Sequence, residues 1–283
     1  FTPETLGQAS RWSISLGGVL FYSALVGGLV FLALRRLPDF GPVTAYFSAT
    51  PGGLTEMTLL GGAMGGDDRT ISLVHSMRIL IVVMVIPFWF RFYHGYVPGG
   101  GGNLPGLGSV MDFPLREFAI LAACALGYPL AKWVRFPAAA LLGPMFLSSI
   151  AHLTGLTAAN PPSELVNLSQ LVIGVGLGCR FVGLHVRRVI GTMFLSSGVT
   201  LFMLALAASF ALGLEYFTGL PFAALWLAFA PGGLAEMTLI SLAMNIDTAF
   251  VSTHHLVRML FLVFGTPLVF ALIRNRLGAK PKN

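Results

Sequence analysis

The chain consists of long apolar stretches separated by short polar connections. Residues 14–33, 71–89, 115–130, 191–214 and 250–273 contain few charged side chains. Most of them approach or exceed the length of about 20 residues that a helix needs to cross a bilayer. Further apolar segments end near residue 153 and cover residues 165–178. The pattern predicts an all-α polytopic membrane protein with about seven spans.

Composition supports the same class. The 283 residues are 55% hydrophobic and 10% charged, whereas a soluble domain carries about 25% charged residues. A net charge of +6 would suggest nucleic-acid binding in a soluble protein, but here the basic residues stand between apolar stretches, where loop charges orient membrane proteins. We therefore expect the lipid bilayer as a partner and no nucleic acid. Cys124 and Cys179 have no metal-ligand spacing, so we expect no metal site and no cofactor.

One segment of the chain occurs twice. A shift of 180 residues aligns positions 51–87 with 231–267, and 17 of these 37 positions are identical. "PGGLTEM" and "PGGLAEM" open the two copies, and each copy continues to a His and an Arg that lie three residues apart. Apolar identities arise easily between membrane helices, but shared Pro-Gly-Gly, Glu, His and Arg at one offset do not. The sequence therefore contains an internal duplication.

The duplication predicts the domain organisation. Residues 114–276 form repeat 2, residues 94–113 form a Gly- and Pro-rich linker, and residues 277–283 form a basic cytoplasmic tail. Residues 1–93 form the C-terminal part of repeat 1, which begins at the equivalent of the fourth element of repeat 2. We therefore expect that the first three helices of repeat 1 are missing from this chain.

Loop charges indicate how the two Pro-Gly-Gly segments lie in the membrane. If both segments cross it, the basic residues outside the spans divide seven to eight between the two sides. If both are re-entrant, twelve lie in the cytoplasm and three outside. The positive-inside rule favours the second arrangement. The hairpins then enter from opposite faces, which predicts inverted structural repeats with two opposed re-entrant hairpins and a cytoplasmic C-terminus.

The broken segments have the chemistry of an anion site. Proline cannot continue a helix, and paired glycines permit a sharp turn. A short helix should follow each break, with free N–H groups at its start that attract anions. Arginine can hold a carboxylate with two parallel hydrogen bonds. The predicted substrate-binding residues are Pro51, Gly52, Gly53, Thr55, Thr58, Arg78, Pro231, Gly232, Gly233, Thr238 and Arg258.

Four further residues are candidates for coupling to protons or sodium: Glu56, His75, Glu236 and His255. Acidic groups inside a membrane often mark an ion pathway, and histidine changes its charge near neutral pH. Two other interpretations remain open for the glutamates, which could cap the half-helices or form ion pairs with Arg78 and Arg258. His254 has Val74 as its counterpart and is a weaker candidate, and Asp67 and Asp247 suit helix caps.

"TPGGLTEM", "APGGLAEM" and "RFPAAALLGPM" resemble the membrane AbrB family. The resemblance covers essentially the whole chain, apart from the missing helices of repeat 1. It implies a multi-pass protein of the bacterial inner membrane with a duplicated domain, unrelated to the soluble DNA-binding protein of the same name. Names used in that family suggest an ammonia monooxygenase-like enzyme or a regulator of gene expression, although the residues show neither a copper-ligand set nor a DNA-binding element.

Three functions follow in order of preference. The first is a secondary active transporter that moves a small anionic organic solute by alternating access, coupled to protons or sodium and not an enzyme. The second is a membrane-embedded sensor or regulator of gene expression that acts through a partner. The third is a membrane enzyme such as an ammonia monooxygenase-like protein. A homodimer is compatible with each of them.

Overall fold

Every element that the structure describes is helical. The computed structural model of the chain describes residues 12–38, 40–93, 110–134, 139–179 and 186–273. The α-helices in these ranges are α1 (Ser13–Leu34), α2 (Pro42–Ala49), α3 (Leu54–Ala63), α4 (Asp68–Tyr93), α5 (Leu115–Ala125), α6 (Gly127–Trp133), α7 (Ala139–Leu153), α8 (Ser163–Cys179), α9 (Val186–Thr218), α10 (Phe222–Phe229), α11 (Leu234–Ala243) and α12 (Thr248–Ile273). The all-α prediction is confirmed for this part of the chain. Most of the predicted linker and the whole basic tail lie outside it.

Four of these helices are long and apolar enough to cross a membrane, namely α1, α4, α9 and α12. Their bounds agree with four of the apolar stretches predicted from the sequence. Helices α7 and α8 have 15 and 17 residues, fewer than the about 20 that a perpendicular crossing needs. The count of about seven spans therefore stays a prediction.

The apolar stretch at residues 115–130 is not one continuous helix. It divides at Leu126 into α5 and α6. Pro129 lies in the first turn of α6, where its missing N–H removes the hydrogen bond that would continue α5. The bend brings Gly127 against Gly143 of α7 so closely that a side chain on either glycine would collide with the backbone of the other.

The duplication is visible in the helix bounds. Helices α2, α3 and α4 have 8, 10 and 26 residues, and α10, α11 and α12 have the same three lengths. Each of the six boundaries in the first unit recurs in the second at an offset of 180 residues. The two copies therefore fold into the same unit of two short helices and one long helix.

In the first unit, the two short helices fold back on each other. The backbone N–H of Asp67, just after α3, donates to Thr44 Oγ1 at the start of α2 over 3.0 Å. Gly61 in α3 lies against Phe47 in α2, since a Cβ atom on this glycine would be 3.1 Å from the Phe47 Cβ. The end of α3 thus returns to the beginning of α2, and the Pro-Gly-Gly break lies at the tip of a helical hairpin.

Helix α1 contacts both units. Gly27 lies beside Pro51 of the first break, and Gly18 lies beside Phe229, the last residue of α10. These glycines are nine residues apart, which corresponds to a rise of about 13 Å along the helix. Between them the buried Tyr22 packs its ring 5.6 Å from that of Phe229 and donates its hydroxyl to the Met203 carbonyl of α9 over 2.9 Å. The buried core is therefore built around the two breaks.

Helices α5 to α8 form a more exposed group beside this core. They contribute few of the fully buried side chains, and many of their large apolar residues face outward. An apolar cavity of about 360 Å³ separates α6 and α7 from Leu256 and Leu260 of α12. This peripheral group therefore contacts the second unit across an incompletely filled apolar surface.

Two adjacent glycines test the hairpin. Gly61→Ala should lower the free energy of unfolding by about 1–3 kcal/mol, because the new methyl group overpacks the contact of α3 with Phe47 and Ile71. The matched control is Gly62→Ala, whose Cβ would meet Asp68 at an ordinary 3.4 Å. This change should raise stability by up to about 1 kcal/mol through helix propensity. Thermal melting in detergent measures both variants, and equal melting temperatures would contradict the packing described.

Candidate functional site

The chain leaves the helical conformation between α2 and α3. Thr50 has φ −69° and ψ 123°, and Gly53 has φ −64° and ψ 142°, both in the extended region. Pro51 and Gly52 between them are buried. The last carbonyls of a helix have no partner within that helix, and water is scarce in a buried core. The break therefore needs hydrogen-bond donors from elsewhere in the molecule.

Arg78 of α4 supplies these donors at the first break. Its Nη1 donates to the Thr50 carbonyl over 3.2 Å, and its Nη2 donates to the Gly52 carbonyl over 2.8 Å. The side chain is buried, with 2% of its surface exposed. A positive charge at the C-terminal end of a helix also complements the helix dipole. Arg78 thus binds the break from one side with two groups of a single guanidinium.

Arg258 of α12 repeats this geometry at the second break. Its Nη1 donates to the Ala230 carbonyl over 2.7 Å, and its Nη2 donates to the Gly232 carbonyl over 2.8 Å. In both copies the accepting carbonyls lie 28 and 26 residues before the arginine. The shared Arg of the duplicated motif is therefore a backbone ligand of its own Pro-Gly-Gly segment.

The glutamate of each copy covers the opposite end of the break. Glu56 and Glu236 are the third residues of α3 and α11, and each carboxylate folds back over the glycine that precedes its helix, Gly53 or Gly233. A Cβ atom on either glycine would collide with this carboxylate. An acidic side chain at this position complements the positive end of the helix dipole. The predicted half-helices are present, and each glutamate lies over the N-terminus of its own half-helix.

The histidines attach the long helices to the first short helices. His75 Nε2 lies 3.0 Å from the Phe47 carbonyl, and His255 Nε2 lies 2.9 Å from the Leu227 carbonyl. Because a carbonyl can only accept, Nε2 carries the proton in each case. Both rings are buried, with at most 1% of their surface exposed. Each histidine therefore binds the same face of its hairpin as the arginine one turn later.

The ion pairs that we considered for the glutamates are not formed. Among the residues that the structure describes, neither arginine bonds to Glu56 or Glu236, since both bind backbone carbonyls instead. The charges nevertheless act on one another, because Arg78 lies within electrostatic range of Arg258 and of Glu236. The tip of one hairpin is therefore close to the charged residues of the other.

The remaining predicted residues take different positions. Thr55 is exposed on α3, whereas Thr58 donates its hydroxyl to the Leu54 carbonyl over 2.7 Å. Its counterpart Thr238 is half-buried, and its buried hydroxyl oxygen has no partner among the residues that the structure describes. Asp67 and Asp247 accept hydrogen bonds from backbone N–H groups at the starts of α4 and α12, which confirms them as helix caps. The described residues contain no group of three or more His, Cys, Asp or Glu suited to a metal ion.

Sequence reasoning missed Tyr22 and underrated His254. Tyr22 lies within electrostatic range of both arginines, but it belongs to α1, outside the repeated segments 51–87 and 231–267 that identified the candidates. His254 is completely buried, with Nδ1 2.8 Å from the Phe250 carbonyl and Nε2 2.9 Å from Ser15 Oγ. It ties α12 to α1. Its presence in one copy alone was a signal of asymmetry between the repeats.

Apolar helices around two buried, arginine-held helix breaks define a membrane protein with a duplicated internal unit. Residues 1–274 match the family model "Transition state regulatory protein AbrB", and the chain belongs to this AbrB family. It is 30% identical to "Uncharacterized protein YhjN" of Bacillus subtilis (strain 168) over 94% of this chain and 72% of that protein. It is 24% identical to "Putative regulator AbrB" of Escherichia coli (strain K12) over 94% of this chain and 75% of that protein. No solved structure matches the chain significantly.

Replacing an arginine by lysine tests whether its hydrogen bonds to the carbonyls of the break stabilise the protein. Arg258→Lys keeps the charge but cannot bind two carbonyls with one planar group. Each hydrogen bond to a charged donor that is lost should cost about 1.5–3 kcal/mol, and Arg78→Lys should have a similar effect. Arg91→Lys, at the exposed end of α4, is the matched control and should leave the melting temperature unchanged. If all three variants melted together, the arginines would not hold the breaks.

Proposed function

We propose that this protein is a secondary transporter that moves a small anionic organic solute across the bacterial inner membrane by alternating access. The observation that carries the proposal is that α1 packs against a helix break of each copy, at Pro51 of the first break and at Phe229 just before the second. Broken helices of duplicated units are the usual substrate sites of such transporters. Non-helical backbone at membrane depth is tolerated only where protein or a polar cavity surrounds it.

The anionic solute follows from the groups that the breaks present. Helices α3 and α11 direct their N-terminal N–H groups toward the breaks, and Arg78 and Arg258 add positive charge. Glu56 and Glu236 cover these N-termini in the structure. We infer that an incoming anion displaces a glutamate or binds together with its proton or a sodium ion. The substrate would then exchange places with an acidic side chain, which is a direct means of coupling.

The proposal includes opposed re-entrant hairpins in inverted repeats, with about seven spans in this chain. With 8 and 10 residues, α2 and α3 extend about 12 and 15 Å, each about half of the 30 Å hydrocarbon core. The return of α3 to the start of α2 supports a segment that enters and leaves on one side. The uneven charge distribution predicted for that topology supports it as well.

Cysteine labelling tests the hairpin topology. In a variant lacking Cys124 and Cys179, Arg36→Cys before α2 and Arg69→Cys after α3 should react with an impermeant reagent from the same side of sealed vesicles. Phe217→Cys and Thr248→Cys, which bracket the second hairpin, should react from the opposite side. All four positions are at least partly exposed. Labelling of Arg36→Cys and Arg69→Cys from opposite sides would mean that the first segment crosses the membrane and would refute inverted hairpins.

Ligand-dependent melting tests the solute class. Acetate, lactate, succinate and glutamate would be compared with ammonium and choline as cationic controls. A ligand at a hundredfold excess over its Kd should stabilise the protein by about 2.7 kcal/mol. The shift should disappear in Arg78→Lys and persist in Arg91→Lys. Stabilisation by the cations alone would contradict an anion site, and uptake of the active acid into proteoliposomes would separate transport from mere binding.

The name of the Escherichia coli relative, "Putative regulator AbrB", favours one second candidate, a membrane regulator that acts through a partner. This function would require a conformational signal rather than passage of a solute. A melting panel without any response would favour it over transport. In either case we propose that the protein performs no enzymatic reaction and that a second copy of the chain is its first candidate partner.

A further inference from the structure

The His–Arg pairs of the two copies differ in how completely they are hydrogen-bonded. In the second copy, Arg258 Nη2 lies 2.9 Å from His255 Nδ1 and donates to it, since arginine can only donate. His255 Nε2 donates to the Leu227 carbonyl. Both ring nitrogens of His255 therefore have partners within the protein, and this pair is closed.

The first copy leaves the corresponding pair open. His75 Nε2 donates to the Phe47 carbonyl, so Nδ1 of the neutral ring carries a lone pair that can accept a hydrogen bond. Among the described residues, His75 Nδ1 has no partner, and neither has Arg78 Nε. Both atoms are buried and belong to side chains on one helix face. An unused acceptor and an unused donor thus lie one turn apart beside the first break.

Two serines add to this difference. The hydroxyls of Ser48, next to Phe47, and Ser76, next to His75, are buried without a partner in the described structure. The second copy has Ala228 and Leu256 at these positions. Its own unpartnered hydroxyls belong to threonines, Thr238 and Thr253. Both copies therefore contain unpartnered hydroxyls, but among the described residues only the first copy has buried nitrogens of its His–Arg pair without a partner.

A carboxylic acid has the complementary groups. Its carbonyl oxygen can accept from Arg78 Nε–H, and its hydroxyl can donate to His75 Nδ1. If the proton moves from the acid to His75 Nδ1, the result is a carboxylate beside a protonated His75. The two forms of the complex contain the same atoms and the same number of protons. Buried polar groups are almost always paired, and this ligand would pair both nitrogens at once. A bare anion would leave the His75 lone pair facing its negative charge.

We propose that the first copy is the loading half of the site, where a small carboxylate binds together with one proton between His75 and Arg78. In this assignment His255 and Arg258 hold the second break and take no proton. The inference rests on the proposed function, because it specifies the solute and the coupling ion of that same site. It also narrows the coupling candidates, since His75 Nδ1 is the one ring nitrogen of the two candidate histidines without a partner among the described residues.

The surrounding charges favour binding of the acid and the proton together. Tyr22 on α1, Glu236 on α11 and Arg258 on α12 lie within electrostatic range of Arg78. Glu56 on α3 lies over Gly53, next to the Gly52 carbonyl that Arg78 binds. The two arginines and two glutamates cancel when all four are ionised. Binding of an anion alone would leave one uncompensated negative charge in the buried core, and binding of a proton alone would leave one positive charge. An uncompensated buried charge of either sign is energetically costly. The pair of ligands keeps the site neutral.

Proton-linked binding tests the proposal directly. The full chain in detergent would be titrated with whichever of acetate, lactate, succinate or glutamate stabilises it most. Calorimetry at pH 7.5 in two buffers of different ionisation enthalpy then gives the number of protons taken up per anion. We expect about one proton, and an apparent Kd that rises about tenfold per pH unit in the alkaline range. Binding of the anion without proton uptake would overturn this inference and leave the transporter proposal intact. Absence of binding by all four acids would overturn both.

Matched variants locate the proton. His75→Gln keeps an N–H for the Phe47 carbonyl but cannot be protonated, so the uptake should fall to zero. His255→Gln, the same change in the second copy, should lower the melting temperature and retain uptake of about one proton. Equal loss in both variants would refute the asymmetry. Uptake that survives in His75→Gln but is lost in Glu236→Gln or Glu56→Gln would assign the proton to a carboxylate and refute the role of His75. If His75 Nδ1 and Arg78 Nε bind water and not the acid, His75→Gln would keep the wild-type affinity at every pH.

Discussion

The structure depends on one constraint, which is that a helix interrupted inside an apolar core must have its free carbonyls bound. The short helices α2 and α10 end where no solvent reaches them, and a guanidinium from the following long helix binds the carbonyls of each break. The arginine is covalently linked to the hairpin that it binds, through a tight turn capped by an aspartate. Hairpin and long helix are therefore held together by hydrogen bonds at the break and by a capped turn.

Duplication of this unit gives the core its shape. The two hairpins both pack against α1, where Tyr22 lies within electrostatic range of Arg78 and Arg258. The charged residues of the two breaks therefore act on one another. A symmetric pair would offer the same chemistry twice. The side chains around the breaks have diverged, however: the His–Arg pair of the second copy is satisfied within the protein, whereas buried hydrogen-bonding capacity remains around the pair of the first copy. In the proposed assignment, the second half of the duplicated scaffold provides stability and the first half serves binding.

The family assignment constrains the class of protein more than its activity. Matching along the whole chain shows membership of the AbrB family, while the names of the two relatives describe no reaction and no solute. The argument for transport therefore comes from the geometry of the breaks and not from these names. The loosely packed apolar contact between α12 and the peripheral helices α6 and α7 is consistent with two groups of helices that move against each other.

The sequence by itself determined the helical class, the duplicated unit and the residues that matter at its breaks. Pro-Gly-Gly, Glu, His and Arg stand out because an apolar membrane helix offers no other reason to repeat them at one offset. Sequence could not decide what the arginines bind. Anion, glutamate and backbone carbonyl are all chemically suitable, and only the fold brings residues 26 and 28 positions away into contact with Arg78 and Arg258. Nor could it reveal the position of Tyr22, because this depends on close contacts between segments distant in the chain, whereas Pro129 is a local signal of the division at Leu126. Only tertiary packing decided which polar atoms remain without a partner. Whether a hydrogen bond forms depends on differences of a few tenths of an ångström between donor and acceptor, and residue type and spacing do not specify these.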